Sequence, residues 1–386
     1  MYKEFPKSAG DTWDDISRRA YGTPEKGGDI AKMNNNIEEG KVLVLEESET
    51  DSSDVEITGE IYLRHGEVNY NDFSECSLFD GMEAIKGASF VFNQTDIDYK
   101  FSFSDSVTIC DEKELFLKGR IANIKPCLTD YANWVQVEVK SHAGVLAETN
   151  MPNPFEFTSL SIRGVLEQVA GYYNQKISFS GESELDEVFT NEIGTSFTAE
   201  KNETVWQFMR RICRSRGLLL TDTGDGLFIG RYKPDTQEKL NLIEGACLGV
   251  KDIRGEFLTV GLARYYELNS QYPSTDTATA QIPFPVPITK RIDSNDFNSL
   301  NLLSTAQMFA CKQVGEHFKI YALLSENIRK KSGDFVVVKY PKIKIDKETD
   351  WVIETIERRH PDSTFLVLTL PCAYTYEIPE SLPLCE

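Results

Sequence analysis

Histidine is scarce in this sequence, and the motifs of the common catalytic classes are missing. None of the four histidines lies in an HExxH metalloprotease motif or accompanies a Gly-x-Ser-x-Gly nucleophile turn. No P-loop and no GxGxxG motif occurs either. The histidines are His65, His142, His317 and His360. We therefore expect no enzyme active site and no bound cofactor.

Cysteine pairs and long apolar runs are missing as well. The eight cysteines form no CxxC pair, which favours reduced, buried thiols over a disulfide framework or a zinc site. They are Cys76, Cys110, Cys127, Cys213, Cys247, Cys311, Cys372 and Cys385. No apolar run reaches the roughly 18 residues that cross a bilayer, and the first residues lack the layout of a signal peptide. We expect no metal, no membrane insertion and no export by the signal-peptide route.

Positive charge is in short supply. Against 61 Asp and Glu the chain has 41 Lys and Arg, so its formal net charge is −20. Proteins that bind nucleic acid gain affinity by neutralising phosphates, so this balance argues against such a function. The Ser-rich run ESETDSSDVE at 47–56 holds five acids and no base, and it predicts a solvated linker.

One cluster of arginines differs from this acidic background. It lies in the last turns of a predicted helix that ends at Gly217, where the helix dipole favours cations. We favour this structural explanation over a phosphate site. The cluster consists of Arg210, Arg211, Arg214 and Arg216.

A strong helix-start signal lies near the beginning of the chain, in GDTWDDISRRAYG at 10–22. Asp11 or Thr12 can cap the first turn, and an apolar stripe that begins at Trp13 follows. TPEK at 23–26 starts a second helix, with a cap followed by proline at the first helical position. Strand patterns precede and follow the pair, so the predicted order is strand, helix, helix, strand.

These first 46 residues resemble a LysM module. The matching features are Tyr2, the Gly10-Asp11-Thr12 turn, Ile16, Tyr21-Gly22, the run from Asn34, and Gly40 before the last strand. Gly27 and Gly28 depart from the family, in which bulkier residues are usual, and each costs roughly 1 kcal/mol of helix stability. The resemblance implies a groove that reads glycans or docks a protein. Its candidate residues are Asp11, Thr12, Trp13, Asn34, Asn35, Asn36 and Ile37.

Beyond the linker, most segments show the alternation of half-buried antiparallel strands. Six of them are VTIC, KELFLKGRI, WVQVEVKS, DFVVVKY, WVIETIE and STFLVLTL. They predict two β-rich regions, which we call the first β region (57–152) and the second β region (238–386). HPDS at 360–363 predicts a turn, and the Pro-rich IPFPVPITKR at 282–291 predicts an extended connector or loop edge rather than a polyproline ligand.

The segment between the two β regions, which we call the insert (153–237), has a different pattern. Apolar residues at helical spacing predict one helix from Ile162 to Tyr173 and another from Val205 to Ile212. GLLLTDTGDGLFIGR at 217–231 then predicts two strands around an Asp-Gly turn. The predicted fold class is multidomain α+β, mainly β, with an α/β insert between two antiparallel β domains.

The succession of these segments resembles the baseplate hub protein of contractile-tailed, Mu-type bacteriophages. The resemblance spans most of residues 57–376 and is weakest over 57–95. The matching pieces are KELFLKGRI through HAGVLAET, SLSIRGVLEQVAGYYN, FTAEKNETVWQFMRRICRSRGLLLTDTGDGLFIGR, and KSGDFVVVKY through AYTY. It implies that both β regions are tube-type barrel or sheet domains.

This resemblance also implies a function. The protein is expected to be a structural, non-enzymatic part of the virion tail, present in the host cytoplasm during assembly. As a homotrimer it would join the tail tube to the central spike and form part of the DNA passage, without binding DNA specifically. Acidic side chains are expected to line that passage because they repel phosphates. The LysM-like module would dock a neighbouring baseplate or sheath-side protein.

A second class of function stays open at this point. The LysM-like module would bind peptidoglycan in a cell-wall-associated protein whose remainder is a scaffold or an undetected glycan hydrolase, with a carboxylate pair as acid and base. The missing signal-peptide layout and the single LysM-like copy favour the hub, since weak glycan binders gain avidity from several copies.

Overall fold

The structure is a computed structural model that describes strands 2–7 and 40–45 and most of residues 61–384. Within the longer span it does not describe 94–100, 112–113, 129–132, 153–155, 158–159, 187–196, 234–238, 246–248, 271–274, 294–301 and 362. The N-terminal strands β1 (Tyr2–Lys7) and β2 (Gly40–Leu45) pair antiparallel and agree with the strands predicted at both ends of the LysM-like module. The two helices predicted between them lie outside the described residues.

The first β region consists of antiparallel strands whose alternate side chains fill one core. The strands are β3 (Ile61–His65), β4 (Val68–Tyr70), β5 (Phe73–Gly81), β6 (Gly87–Asn93), β7 (Ser106–Asp111), β8 (Glu114–Leu128) and β9 (Asn133–Ser141). In β6 every second residue is buried, and Phe90 and Phe92 are fully enclosed. This period of two is what a strand with one face on a core requires. Phe90 and Phe92 therefore help form the centre of this core.

The insert packs two helices on a small three-stranded sheet. The short helix α1 (Gly144–Glu148) at the end of the first β region precedes it. The insert's own elements are β10 (Glu156–Phe157), α2 (Ile162–Tyr172), β11 (Ile177–Phe179), β12 (Phe197–Thr198), α3 (Val205–Arg214), β13 (Leu219–Asp222) and β14 (Leu227–Gly230). Thr204 and Gln207 form a capping box at the start of α3. The two predicted helices and the Asp-Gly hairpin correspond to α2, α3 and the β13–β14 pair.

The second β region contains the remaining strands and a long helix. Its elements are β15 (Leu240–Ile243), β16 (Val250–Phe257), β17 (Tyr265–Ser270), β18 (Asp276–Gln281), β19 (Thr289–Asp293), α4 (Leu302–His317), β20 (Phe318–Leu324), β21 (Phe335–Tyr340), β22 (Ile345–His360), β23 (Ser363–Thr369) and α5 (Cys372–Thr375). The chain turns between β22 and β23, as HPDS predicts, and the Pro-rich segment is the loop between β18 and β19 and the start of β19.

Helix α4 was not predicted from the sequence. Its buried residues include small ones such as Ala306, Ala310 and Gly315, and they do not form one apolar stripe. The helix lies against β17 and β18 and also against α5, so it is enclosed on more than one side. The helical stripe that marks a surface helix is therefore weak here.

Strands of both β regions join in one 13-stranded sheet, while β17, β18 and β19 of the second β region form a separate three-stranded sheet. The main path of the large sheet runs β16-β20-β23-β22-β5-β6-β9-β8-β7-β3-β4, and β21 and β15 extend from β22 on a branch. The long strand β22 makes this possible, since residues 345–352 pair with β21 and residues 355–360 pair with β5. The mainly β content agrees with the predicted fold class, but β22 joins strands of the two β regions in one sheet, and the β15–β21 and β17–β19 pairs are parallel where the prediction had antiparallel strands. None of the described helices is long and apolar enough to span a bilayer.

Candidate functional site: the junction between the β regions

The pairing of β5 with β22, together with the side chains around it, forms what we call the junction. At its centre is the carboxylate of Glu83, in the turn that follows β5. Arg214 at the end of α3 donates to both oxygens of Glu83 at 3.0 and 2.7 Å, and Lys312 of α4 donates to one of them at 2.8 Å. One residue from each of the three regions therefore meets at this point.

The junction removes these charges from water to different extents. The side chain of Glu83 is 3% exposed, that of Lys312 is 14% exposed, and that of Arg214 is 34% exposed. Burial alone would disfavour the Glu83 carboxylate, but the charges and hydrogen bonds of Lys312 and Arg214 outweigh it and lower its pKa to about 2. Burial lowers the pKa of Lys312, although Glu83 opposes this. The Glu83 carboxylate at the centre is thus ionised, and Arg214 and Lys312 supply its cationic partners.

Aromatic rings close the junction on the side of α5. The Lys312 ammonium lies 4.1 Å from the centroid of the Tyr374 ring, a cation–π distance. Tyr374 is itself buried, and its ring contacts that of Tyr232 edge-on at 6.0 Å. Tyr374 and Glu83 are both shielded from solvent, and interactions between charges are stronger where solvent access is low.

Further polar contacts follow the β5–β22 pairing. Ser77 donates to Glu357 at 2.6 Å, and the amide of Ser332 donates to Asp80 at 3.0 Å. Arg358 of β22 forms an ion pair with Asp111 of β7. The Ser77–Glu357 bond joins β5 directly to β22, and the other two contacts hold the neighbouring segments against this strand pair.

The insert is held to the first β region by a second buried carboxylate. Asp222 accepts hydrogen bonds from the amides of Lys86 at 2.9 Å and Gly224 at 2.8 Å, and also from the hydroxyl of Ser141. Burial raises the pKa of Asp222 although these hydrogen bonds oppose the shift. The amide of Lys118 donates to the carbonyl of Gly224 at 2.7 Å, so the hairpin turn also docks through its backbone.

Most arginines of the cluster form hydrogen bonds or ion pairs within the protein. Arg211 forms a bidentate pair with Glu203 at 2.8 and 2.9 Å, and Arg214 belongs to the junction. Arg216 donates to the carbonyl of Ser215 at 3.1 Å. Burial and the neighbouring Arg214 lower the pKa of Arg210. The structural explanation of the cluster agrees with these contacts.

A cleft of about 320 Å³ lies beside the junction, between the insert and the second β region. Met82, Leu219 and Phe228 contribute apolar lining, and its charged lining residues are Arg231 and Lys233. Its lining contains no carboxylate, whereas glycoside cleavage uses two. Among the described residues, no group of three or more His, Cys, Asp or Glu is placed to hold a metal ion.

The residues proposed for the LysM-like groove are not among those that the structure describes. They are Asp11, Thr12, Trp13, Asn34, Asn35, Asn36 and Ile37. Sequence reasoning missed the junction, because Glu83, Arg214 and Lys312 are far apart in sequence and none belongs to a recognisable motif. The usable signal was the arginine-rich end of α3, since a cation there is available for a buried carboxylate.

Comparison with known proteins gives a consistent answer at the level of the fold. No protein-family model matches the chain, and no curated protein matches it. The 43 kDa tail protein of prophage MuSo2 from Shewanella oneidensis is similar in structure, with a TM-score of 0.66 and 17% identity, over 81% of this chain and 99% of that one. A tail protein from Neisseria meningitidis has a TM-score of 0.67 and 14% identity, over 83% of this chain and 98% of that one.

A more distant likeness extends to secretion machinery. The E. coli c3393 protein, a component of the type VI secretion system described as similar to the T4 tail proteins gp27 and gp5, has a TM-score of 0.50 and 8% identity over 80% of this chain. The chain thus has a mainly β fold that occurs in phage tail proteins and in a component of a type VI secretion system.

Proposed function

We propose that this protein is a structural hub of a phage tail baseplate that joins the tail tube to the central spike. The observation that supports this most strongly is the junction, which joins strands of the two β regions in one sheet. Likeness to tail proteins over nearly their whole length adds to it. In this role the β regions are the tube-type domains, the insert braces them, and no catalytic site is needed.

The proposed assembly is a homotrimer. Three copies, each with two β regions held at a fixed angle, present six β units around one axis, which suits a sixfold tube on one side and a threefold spike on the other. The DNA passage lies on that axis, with acidic side chains facing it and no specific binding of DNA. We place the protein in the virion baseplate, after assembly in the host cytoplasm.

The LysM-like module is proposed to dock a neighbouring baseplate or sheath-side protein. The acidic linker of 47–56 has a root-mean-square reach of roughly 15–20 Å if it is flexible, which limits the module to adjacent proteins. Deleting residues 1–46 should leave a folded hub that assembles defective baseplates. Submillimolar binding of isolated residues 1–46 to peptidoglycan fragments would instead favour the cell-wall function.

Electron cryo-microscopy of purified tails tests the proposal directly. We expect density for three copies between tube and spike, with Asp and Glu more frequent than Lys and Arg on the channel wall. A single copy per particle, or a position outside the tube–spike axis, would contradict the hub function. A channel lined mainly by Lys and Arg would contradict only the acidic passage.

A further inference from the structure

An exposed apolar surface lies at one end of the second β region, on the loops that follow β16 and precede β19. Val260 is 91% exposed, and Leu258, Val286 and Ile288 are 49%, 46% and 48% exposed. Single exposed aliphatic residues are ordinary, but contiguous ones mark interaction surfaces. We call these four residues, together with Arg264, the tip patch.

The backbone of the tip patch is fixed by hydrogen bonds. The amide of Leu258 donates to the carbonyl of His317 at 2.9 Å, and Nε2 of His317 lies 3.2 Å from the carbonyl oxygen of Val260. The amide of Arg264 donates to the carbonyl of Ile288 at 3.0 Å, which ties the two loops together. The backbone that carries the exposed side chains is therefore held in place before any partner arrives.

Proline stiffens the second loop further. The segment IPFPVPI at 282–288 has proline at every second position, and each proline fixes its own φ. A rigid loop loses little conformational entropy on binding, and this loss is one of the main costs of association. The Pro-rich motif thus favours binding by this loop, because a loop that only connects two strands does not need such rigidity.

Arg264 supplies the charged part of the surface. Its Nε is buried without a hydrogen-bond partner, and its guanidinium lies 5.5 Å from the centroid of the Tyr265 ring. None of the described acids forms an ion pair with it, whereas nearby Arg291 pairs with Glu267 at 2.9 Å. The rest of the guanidinium is only partly buried and its charge has no acidic partner among the described residues, so a carboxylate from another chain can form a charge-assisted pair with it.

The charge of the protein favours a second copy as the occupant, because 61 acids against 41 bases supply carboxylates that can pair with Arg264. At a net charge of −20, two copies repel each other unless their contact places an acid against a cation. The tip patch holds a cation and no acid, so it does not complement itself and must contact a different face of its partner. Contacts of this head-to-tail kind form a ring when the rotation between copies closes, as the proposed trimer requires.

The tip patch is also continuous with a sheet edge. Leu258 directly follows β16, which ends the main path of the sheet and pairs only with β20 among the described strands. Free edges of this kind are templates for another chain. We propose that the tip patch is the surface on which a second copy docks, with Arg264 receiving a carboxylate of that copy. The inference rests on the proposed function, since it locates the contact through which the hub copies assemble.

The test compares three variants of the full chain by native mass spectrometry. Val260→Asp and Arg264→Glu place an acid where the acidic partner face would lie, so each should weaken self-association at least tenfold. Leu303→Asp is the matched control, because Leu303 is 54% exposed and lies in the first turn of α4, about 21 Å along that helix from His317. It should associate like the wild type.

Cross-linking of the same variants in purified tails gives the second readout, and circular dichroism confirms folding. If the wild type associates and Val260→Asp and Arg264→Glu associate equally well, the docking surface is wrong while the hub function stands. If the wild type is a single copy both in solution and in tails, the hub function fails and the inference with it.

Discussion

The junction and the tip patch each contain an arginine, but only the arginine of the junction has a carboxylate partner among the described residues of the chain. Arg214 meets a carboxylate from the same chain, and Lys312 shares it. Arg264 has a buried Nε without an acceptor, and its backbone amide is bonded to the carbonyl of the exposed Ile288. The junction is complete within one chain, whereas the tip patch has the composition of half an interface. Substitutions at the first should change stability, and substitutions at the second should change assembly.

The largest effect is expected for Glu83→Ala. It leaves Arg214 and Lys312 close together and largely buried without their carboxylate, and breaking a buried ion pair from one side costs about 3–5 kcal/mol. Urea denaturation of the full chain measures this loss. Glu148→Ala is the control, since Glu148 pairs with Lys140 on the exposed surface and should cost about 1 kcal/mol or less. Equal losses for the two variants would contradict the role of the junction.

Acid should weaken the same contact. The pKa of Glu83 falls from an ordinary value of 4.5 to about 2 in the folded protein. Its contribution to stability is therefore present above about pH 4.5 and is lost as the pH falls from 4.5 towards 2. The shift corresponds to about 3 kcal/mol. The difference in unfolding free energy between wild type and Glu83→Gln should shrink over that range, and a pH-independent difference would argue against this assignment.

A smaller loss is expected where the insert docks through its backbone. Gly224 has φ of +90°, and a Cβ there would lie 2.3 Å from the carbonyl oxygen of Phe116. Gly224→Ala should therefore cost about 1–3 kcal/mol from strain and displacement of the hairpin. Gly171→Ala is the control, because a Cβ at Gly171 meets no atom within 4 Å and the position is helical. Thermal denaturation of both variants checks the difference.

The smallest change in stability is expected at the tip patch. Val260 is almost fully exposed, so Val260→Asp should alter the free energy of unfolding of the isolated chain by about 0.5 kcal/mol or less. The same variant should lose self-association. A large loss of stability in dilute, dissociated protein would show that Val260 stabilises the folded chain. The tip patch would then not differ from the junction in this respect.

The sequence predicted local structure well because local structure depends on short-range patterns. Helices α2 and α3, the Asp-Gly hairpin and six strand segments are all present. Helix α4 was missed because it is enclosed on more than one side. The junction was missed because Glu83 meets Lys312 across 229 residues of sequence, and no local pattern records such a contact.

The shared strand β22 has a consequence for the order of folding. Ser77 of β5 and Glu357 of β22 are 280 residues apart in sequence. Strand β5 therefore lacks its β22 partner while most of the chain is synthesised. At ribosomal rates this interval is roughly a quarter of a minute to a minute. During it the β5 edge is unpaired and prone to sticking to other nascent chains. The contact that joins the β regions is thus among the last to form, and only a chain completed through His360 holds both in their final geometry.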